Sequence, residues 1–409
     1  VKKKFNLSEK KLDFYDGYSL TPYSKNETVI NFSPGPTSIP PQVLSEFLTE
    51  FSDKNKFGVT PLEISHRSPE FLNIKKECEK KFRTLLKIPD NYSLIWTHGG
   101  GHGQFSGVPL NLVKDQNDSP NYLVTGTWSN RSYLEATKYC NPNKITEKED
   151  ISEINSIDYS KIINNLKNNS SYVYLCSNET INGLEFREDG MPVPSKEITN
   201  NKIMVVDMSS DILSKKVNWN NIDVAFACAP KNFGFPGSAV TIINNKILLE
   251  DYKRFHEKTI PSLLDWKLIN NSESFWNTLP VFNIYITDKI LSYYINIGGI
   301  DTIEANSKSK SDIIYNILDQ NNIYEPVVEK GRPERSRMNI PFIIKNKELM
   351  ELFIHNAYRN NIVGLRTKTP FNKSDKPEPL RISLYNSITL EDTIRLSAFM
   401  IEFDSFMTM

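Results

Sequence analysis

The chain lacks the features that mark a nucleic-acid-binding protein, a membrane protein or a secreted disulfide-rich protein. Lysine plus arginine and aspartate plus glutamate both total 49 in 409 residues, so no basic excess is available for nucleic acid. No apolar run reaches the roughly 20 residues that cross a bilayer. The four cysteines are far apart and show no CxxC spacing, which argues against a zinc site and favours reduced thiols in the cytoplasm.

Residues 1–28 lack the apolar core of a signal peptide, and their aspartates and glutamates argue against a transit peptide. The segment is polar, rich in lysine and weakly patterned. We therefore expect an N-terminal extension outside the folded core. We expect a cytoplasmic protein, with organellar targeting left open because the sequence begins with Val1.

Apolar residues make up 39% of the chain, enough to bury a large core. Six short apolar runs end in turn residues, and stretches compatible with helices separate several of them. This alternation is typical of an α/β domain with a largely parallel sheet, where ligands bind beyond the carboxyl ends of the strands. The six runs are Ser93–Thr97, Tyr122–Thr125, Tyr172–Cys176, Ile203–Asp207, Val224–Cys228 and Ala239–Ile243.

The last third of the chain has a different texture, with amphipathic helix patterns around one strand pattern. We expect a large domain over residues 41–299 and a smaller α+β domain formed by residues 29–40 and 300–409. The expected elements in this part of the chain are helices at Pro280–Ile297, Lys347–Asn360 and Leu390–Phe406 and a strand at Met338–Ile344.

A glycine cluster, Gly99–Gly103, follows the first apolar run. Backbone N–H groups exposed where such a cluster opens a helix suit a phosphate, but glycines also serve a tight strand–helix turn. Both interpretations stay open from the cluster alone. No GK[ST] follows, so it is not a P-loop.

Asp207 ends the fourth run and Lys231 follows the fifth, so both ionisable side chains belong to one end of the expected sheet. Each is costly to bury without a partner. A pyridoxal phosphate site needs this combination, with the aspartate on the pyridine nitrogen and the lysine bonded to the cofactor. The alternatives are a buried salt bridge, or a helix-capping aspartate beside an unrelated lysine. Trp128, after the second run, could stack on a planar ring or fill the core.

Several motifs together resemble the phosphoserine aminotransferases, which are class V, fold-type I pyridoxal-phosphate enzymes. The resemblance runs in colinear order over residues 29–409. Its motifs are Asn31–Pro36, Glu63–Ser68, Gly99–Leu112, Ser177–Gly183, Asp207–Asp211, Lys231–Gly234, Trp276–Thr278, Ser336–Phe342 and Leu380–Asn386.

The resemblance implies a bound pyridoxal 5'-phosphate and two groups of residues around it. Lys231 would bind the cofactor covalently, Asp207 would pair with the pyridine nitrogen, and the catalytic set would include Trp128, stacked on the ring. The remaining contacts would come from Thr180 to ring substituents, from Gly101 and His102 to the phosphate, and from Asn277 and Thr278 to the phosphate of a second subunit's cofactor.

The resemblance also implies a substrate site and a homodimer with shared active sites. Arg381 would bind the substrate α-carboxylate, a task suited to a bidentate guanidinium. His66 and Arg67 would contact the substrate phosphate or distal carboxylate across the dimer. The implied reaction is transamination of O-phospho-L-serine with 2-oxoglutarate to 3-phosphohydroxypyruvate and L-glutamate, in L-serine biosynthesis.

The chain departs from the family pattern at two places. Pro230 replaces a glutamine that helps bind the cofactor phosphate. The His-Arg pair that usually precedes the carboxylate-binding arginine is missing from residues 364–369, where Arg366 or Lys368 would have to substitute. Two alternatives therefore stay open: a class V aminotransferase with a different donor or acceptor, and a non-catalytic homologue that keeps the fold.

Overall fold

The computed structural model describes residues 28–52, 57–366 and 379–408. The expected extension at residues 1–28 lies outside these ranges except for its last residue. Lys368 also lies outside them. The helices are α1 Pro41–Ser52, α2 Pro69–Leu86, α3 Gly100–Leu112, α4 Thr127–Ala136, α5 Tyr159–Asn164, α6 Trp266–Asn271, α7 Val281–Asn296, α8 Gly299–Leu318, α9 Lys347–Arg359 and α10 Leu390–Thr408. Among the described helices none combines the length and apolarity needed to cross a membrane.

Strands alternate with these helices through the first two-thirds of the chain and then accompany α9 and α10. They are β1 Ile30–Asn31, β2 Tyr92–His98, β3 Asn121–Val124, β4 Asn143–Thr146, β5 Tyr172–Cys176, β6 Asn178–Glu179, β7 Leu184–Glu185, β8 Ile203–Asp207, β9 Val224–Cys228, β10 Ser238–Asn244, β11 Tyr324–Pro326, β12 Asn339–Ile344, β13 Ile362–Val363 and β14 Leu380–Ser383.

The central sheet has seven strands in the order β2-β10-β9-β8-β5-β3-β4. Strands β9, β8, β5, β3 and β4 run parallel, and β10 is antiparallel to both of its neighbours. Each of the six predicted apolar runs forms one of these strands, so the predicted α/β fold with a mainly parallel sheet is confirmed. The edge strand β4 has no apolar run, because an edge strand is only half covered.

Apolar side chains cover both faces of this sheet. On one face Val206 packs in a cluster with Phe82 of α2 and Leu291 of α7. On the other face its neighbour Val205 packs in a cluster with Phe105 of α3. Successive side chains of a strand point to opposite faces, so a strand buried on both sides reads as a continuous apolar run.

A separate apolar cluster surrounds the three-stranded antiparallel sheet β11-β12-β14. Strand β1 reaches this part of the molecule by pairing in parallel with β13, so that Ile30 lies opposite Ile362. Helix α8 spans two clusters, since Ile303 packs with the central sheet and Ile314 with the small one. The boundaries at residues 41–299 and 300–409 stay a prediction.

Lys310 of α8 is buried beneath the turn that follows β14. Its Nζ donates to the carbonyl oxygens of Leu384 and Tyr385 at 3.0 Å and of Ile388 at 2.8 Å. Burial lowers the pKa of Lys310 to about 7, because the ammonium loses its hydration. One lysine thus holds three carbonyls of a turn that has no regular hydrogen-bond ladder.

Lys310→Met should destabilise the fold, and the difference from the wild-type chain should grow as pH rises. Between about pH 7 and 10 the unfolded chain binds more protons at Lys310 than the folded chain, so wild-type stability increases there by up to about 1.4 kcal/mol per pH unit. Melting temperatures at pH 7 and 9 and one protein concentration measure the effect. Lys308→Met, on the same helix but exposed, is the control; equal pH slopes in all three proteins would contradict the assignment.

Candidate active site

Asp207 and Lys231 lie at the carboxyl ends of two neighbouring strands. Asp207 is the last residue of β8, which pairs with β9 in parallel, and Lys231 lies three residues beyond β9. No ion pair joins the two among the described residues, so the alternative of a salt bridge between them is not what the structure shows. The Lys231 amine instead donates to the carbonyl oxygen of Pro34. It passes so close to Gly35 that a Cβ there would lie 3.0 Å from Nζ, and Gly35 has a φ of +126°.

The Asp207 carboxylate is buried, and no cation pairs with it among the described residues. The residue is 3% exposed, and its carboxylate accepts the backbone N–H of Ser209 at 2.9 Å and the hydroxyl of Tyr174 at 3.5 Å. Burial raises the pKa of Asp207 to about 7, and the bonds from Ser209 only partly offset the lost hydration. A positively charged nitrogen beside this carboxylate would restore its ordinary charged state.

Trp128 is held at the amino end of α4 by a buried carboxylate that the sequence analysis did not single out. Glu179 accepts the backbone N–H groups of Trp128 at 2.9 Å and Ser129 at 2.8 Å, where the helix dipole favours a negative charge. A Cβ at Gly126 would lie 2.6 Å from Glu179 Cδ, so only glycine leaves room for this contact. The indole Nε1 of Trp128 donates to Thr180 Oγ1 at 2.7 Å.

The amino end of α3 presents the expected glycine cluster beside Asp207. Gly99, with a φ of +80°, precedes the helix, and the first backbone N–H groups of a helix have no partner within it. A Cβ at Gly101 would lie 3.4 Å from Ser209 Oγ, which places this first turn next to the Asp207 segment. The His102 ring meets the Trp128 ring edge-on at 5.9 Å, and burial lowers the pKa of His102.

Arg381 of β14 is a buried cation without an acidic partner among the described residues. It is 6% exposed, its Nη1 donates to the carbonyl oxygen of Thr180 at 2.7 Å, and its Nε has no hydrogen-bond partner. Burial lowers the pKa of Arg381 to about 10, which leaves the guanidinium charged at neutral pH. An anion such as a carboxylate would satisfy both the charge and the free Nε.

Four of the predicted site residues lie in two segments away from the strand ends that carry Asp207 and Lys231. His66 is half-buried and Arg67 exposed in the turn before α2. Asn277 contacts His98 Nε2 through its amide nitrogen at 3.0 Å, which places it beside the glycine cluster that follows His98, and Thr278 is exposed. Among the described residues none of the four is hydrogen-bonded to the Asp207 carboxylate or to the Lys231 amine.

Arg366, one of the two candidate substitutes for the missing pair, is committed elsewhere. It forms an ion pair with Glu351 of α9. Arg366 lies opposite Leu380 in a β-bridge, so the alternation of a strand turns it to the face away from Arg381. Pro230 offers no donor, and its carbonyl accepts the backbone N–H of Thr37 at 3.1 Å.

These residues fit pyridoxal 5'-phosphate. Asp207 suits the pyridine nitrogen because its carboxylate lacks a cation, and the α3 terminus at Gly101 suits the phosphate. Lys231 supplies the amine, and Trp128 the aromatic face. Within the described ranges, the buried carboxylate and the buried guanidinium of Arg381 each lack a partner of opposite charge, which the cofactor and a substrate carboxylate would provide.

Known proteins that are similar to this chain in sequence and in fold are aminotransferases. The family model described as Aminotransferase class-V matches residues 29–396. Phosphoserine aminotransferase of Buchnera aphidicola subsp. Cinara cedri (strain Cc) is 35% identical over 376 residues, 92% of this chain and 98% of the relative. That of Blochmanniella floridana is 34% identical, covering 91% of this chain and 97% of the relative.

Solved structures give the same picture. Phosphoserine aminotransferase from Bacillus circulans subsp. alkalophilus superposes with a TM-score of 0.83 at 28% identity, over 93% of this chain and 99% of that one. The PLP-bound phosphoserine aminotransferase from Trichomonas vaginalis gives 0.81 at 27% identity, over 91% and 100%. Since the family model spans most of the described residues and the relatives match nearly end to end, this chain belongs to the class-V aminotransferase family.

Proposed function

We propose that the protein transfers an amino group from L-glutamate to 3-phosphohydroxypyruvate and back, which interconverts these substrates with 2-oxoglutarate and O-phospho-L-serine in L-serine biosynthesis. The observation that carries the proposal is the buried Asp207, which has no cationic partner among the described residues, at the same end of the sheet as Lys231. A non-catalytic homologue would have no reason to keep this costly carboxylate beside that strand end. The names of the relatives supply the substrate class.

Bound pyridoxal 5'-phosphate supplies an electron sink for the electrons released at the substrate α-carbon. Asp207 holds a proton on the pyridine nitrogen, and its burial strengthens that interaction. Lys231 moves the proton at the α-carbon with the amine that also anchors the cofactor. Trp128 covers the ring and excludes water. Arg381 binds the α-carboxylate and thereby fixes which bond of the α-carbon faces Lys231.

We propose that the protein acts as a homodimer whose partner subunit completes each site. His66, Arg67, Asn277 and Thr278 are functional residues by resemblance, yet among the described residues none of them is hydrogen-bonded to Asp207 or Lys231 of its own chain. Asn277 contacts His98, next to the glycine cluster. Large apolar side chains flank both segments and stay exposed, Leu62 at 56% and Trp276 at 49%. Exposed apolar residues of this size are typical of surfaces covered in an assembly.

We propose a cytoplasmic enzyme whose partners are small substrates and a second copy of itself. The four cysteines are free thiols, as expected in a reducing compartment. Burial raises the pKa of Cys78 and Cys176, which leaves both as unreactive core residues. The balanced charge supports the absence of a nucleic-acid partner.

Lys231→Ala should abolish both covalent cofactor capture and transamination, because in the described part of the chain no other lysine stands at this strand end. The visible absorption of purified protein after incubation with pyridoxal 5'-phosphate measures capture, and a coupled glutamate assay measures turnover. Lys231→Arg keeps the positive charge without the nucleophilic amine and should fail equally. Turnover of the alanine variant at the wild-type rate would show that the site is elsewhere.

Asp207→Asn should leave cofactor capture intact and slow the half-reaction with glutamate by about ten- to a hundredfold, the value of a charge-assisted hydrogen bond. The amide cannot hold the proton on the pyridine nitrogen. Single-turnover rates followed by the visible spectrum measure the effect. Asp118→Asn is the matched control, since this buried carboxylate accepts only the backbone N–H groups of Lys114 and Ser171. Equal single-turnover rates in the two variants would refute the role.

Arg67→Ala should lower kcat/KM for phosphoserine by about ten- to a hundredfold and should also lower kcat/KM for glutamate. The kcat/KM for L-alanine should not change, because L-alanine has no distal anion. Arg366→Ala should change phosphoserine kinetics little, because Arg366 is already paired. Lys368→Ala covers the remaining candidate, which lies outside the described residues. If Arg366→Ala or Lys368→Ala abolishes phosphoserine turnover while Arg67→Ala does not, the anion site lies at residues 364–369.

Mixing subunits separates the shared-site model from a site within one chain. When Lys231→Ala and Arg67→Ala dimers are unfolded together and refolded, half of the dimers are hybrids. If Arg67 serves the partner, each hybrid has one intact site, and about a quarter of wild-type activity returns. Mixing that restores no activity would place Arg67 in its own subunit's site.

A further inference from the structure

The carbonyl group of Pro34 receives hydrogen bonds from two side chains at the centre of the site. The Lys231 amine is one donor. The Tyr385 hydroxyl is the other, at 2.9 Å. Tyr385 is fully buried, and the Lys231 Nζ lies 5.6 Å from the centre of its ring. A carbonyl oxygen has two lone pairs, so both donors can be satisfied at once.

Tyr385 is itself fixed at its hydroxyl and at its backbone. The Asn339 amide nitrogen donates to it at 3.3 Å, and Asn339 in turn accepts from Asn178, beyond β5, at 2.9 Å. Lys310 holds the backbone carbonyl of Tyr385 at 3.0 Å. A buried, satisfied network of this kind leaves a hydroxyl group few alternative positions.

The segment that carries the shared carbonyl has little freedom either. Gly35 follows Pro34 with a φ of +126°, and a Cβ there would lie 3.0 Å from the Lys231 side chain. Thr37, two residues on, donates its backbone N–H to Pro230 and pairs its hydroxyl with Ser387 at 2.8 Å. Tyr385 is the side chain that fixes the direction of the Pro34 carbonyl between these contacts.

We propose that Tyr385 is a positioning residue for Lys231. Its hydroxyl holds the Pro34 carbonyl as the resting acceptor of the Lys231 amine whenever Nζ is not bonded to the cofactor. The inference rests on the proposed role of Lys231, whose amine must be free while the substrate occupies the cofactor. If the free Lys231 amine always returns to the Pro34 carbonyl, each proton transfer starts from the same geometry. A fixed starting geometry raises the rate because less orientational freedom has to be lost on the way to the transition state.

Tyr385→Phe keeps the ring and its packing and removes only the hydroxyl. The glutamate half-reaction should slow by about three- to tenfold, the range for one neutral hydrogen bond. KM for glutamate should stay within about twofold, because Arg381 is untouched. The isotope effect with α-deuterated glutamate should increase, since proton transfer becomes more rate-limiting. A change in the amount of folded enzyme alone would leave that isotope effect unaltered.

A second readout needs no turnover. In apoprotein mixed with pyridoxal 5'-phosphate, Lys231 Nζ bonds to the aldehyde carbon and one water is released, so the growth of visible absorption reports on the position of the amine. Tyr385→Phe should slow this growth by a similar factor. Tyr324→Phe is the matched control, because its buried hydroxyl also donates to a backbone carbonyl, that of Met400 at 2.9 Å, away from Lys231.

Unchanged isotope effect and capture rate in Tyr385→Phe would overturn the proposal, as would a rise in KM alone, which would make Tyr385 a substrate contact. Equal losses in Tyr385→Phe and Tyr324→Phe would also overturn it, by showing a general effect of losing a buried hydroxyl. Capture that persists in Lys231→Ala would refute the proposed function instead, so the two failures are distinguishable.

Discussion

Desolvation of the Asp207 carboxylate is the constraint on which the site depends. The central sheet buries this group at the end of β8, and the described part of the chain supplies a backbone N–H and a hydroxyl but no cation. Burial therefore raises the pKa of Asp207, which under the proposed function is the cost of keeping a carboxylate for a cationic nitrogen. Arg381 shows the opposite case, a buried cation with no anionic partner among the described residues. The cofactor would bring a positive charge to Asp207, and the substrate would bring a negative charge to Arg381. The same unpaired buried charges would therefore contribute both to binding and to catalysis.

A second buried carboxylate extends this logic to the helix that carries Trp128. Glu179 takes the place of a helix cap and aligns the indole through the backbone. Burial raises the pKa of Glu179, and the N–H groups it accepts oppose that rise. Because Gly126 must lack a side chain for the two to meet, the glycine, the glutamate and the tryptophan form one unit.

The parts of the molecule visible in the sequence were those with a local signature. Fully buried strands produced continuous apolar runs. Asp207 and Lys231 stood out because each is an ionisable residue at or just beyond the end of such a run. Strand β4 was not predicted because it is a half-buried edge strand without an apolar run. Strand β1 was not predicted because two residues are too few to show a periodic pattern. Glu179 contacts Trp128, 51 positions earlier in the chain, and Tyr385 contacts Pro34, 351 positions earlier. No local sequence pattern records contacts over such separations.

The facing of Arg366 shows the same limit at the substrate site. Its charge and position made it a candidate for the missing His-Arg pair, but its direction is set by the pairing with Leu380 and by Glu351 on α9. The face on which a side chain lies follows from the alternation along its strand and from the register with the neighbouring strand. That register is known only when the strand partners are known.

The parallel pairing of β1 with β13 has a consequence for synthesis of the chain on the ribosome. Ile30 leaves the ribosome long before Ile362, its partner. At translation rates of about 5–20 residues per second the delay is about 15–70 s. During that interval the central sheet can form, but the N-terminal strand and the Pro34 turn behind it must wait for the end of the chain. Nascent protein would therefore hold Asp207 and Lys231 in an incomplete pocket, and cofactor capture should follow release rather than accompany elongation.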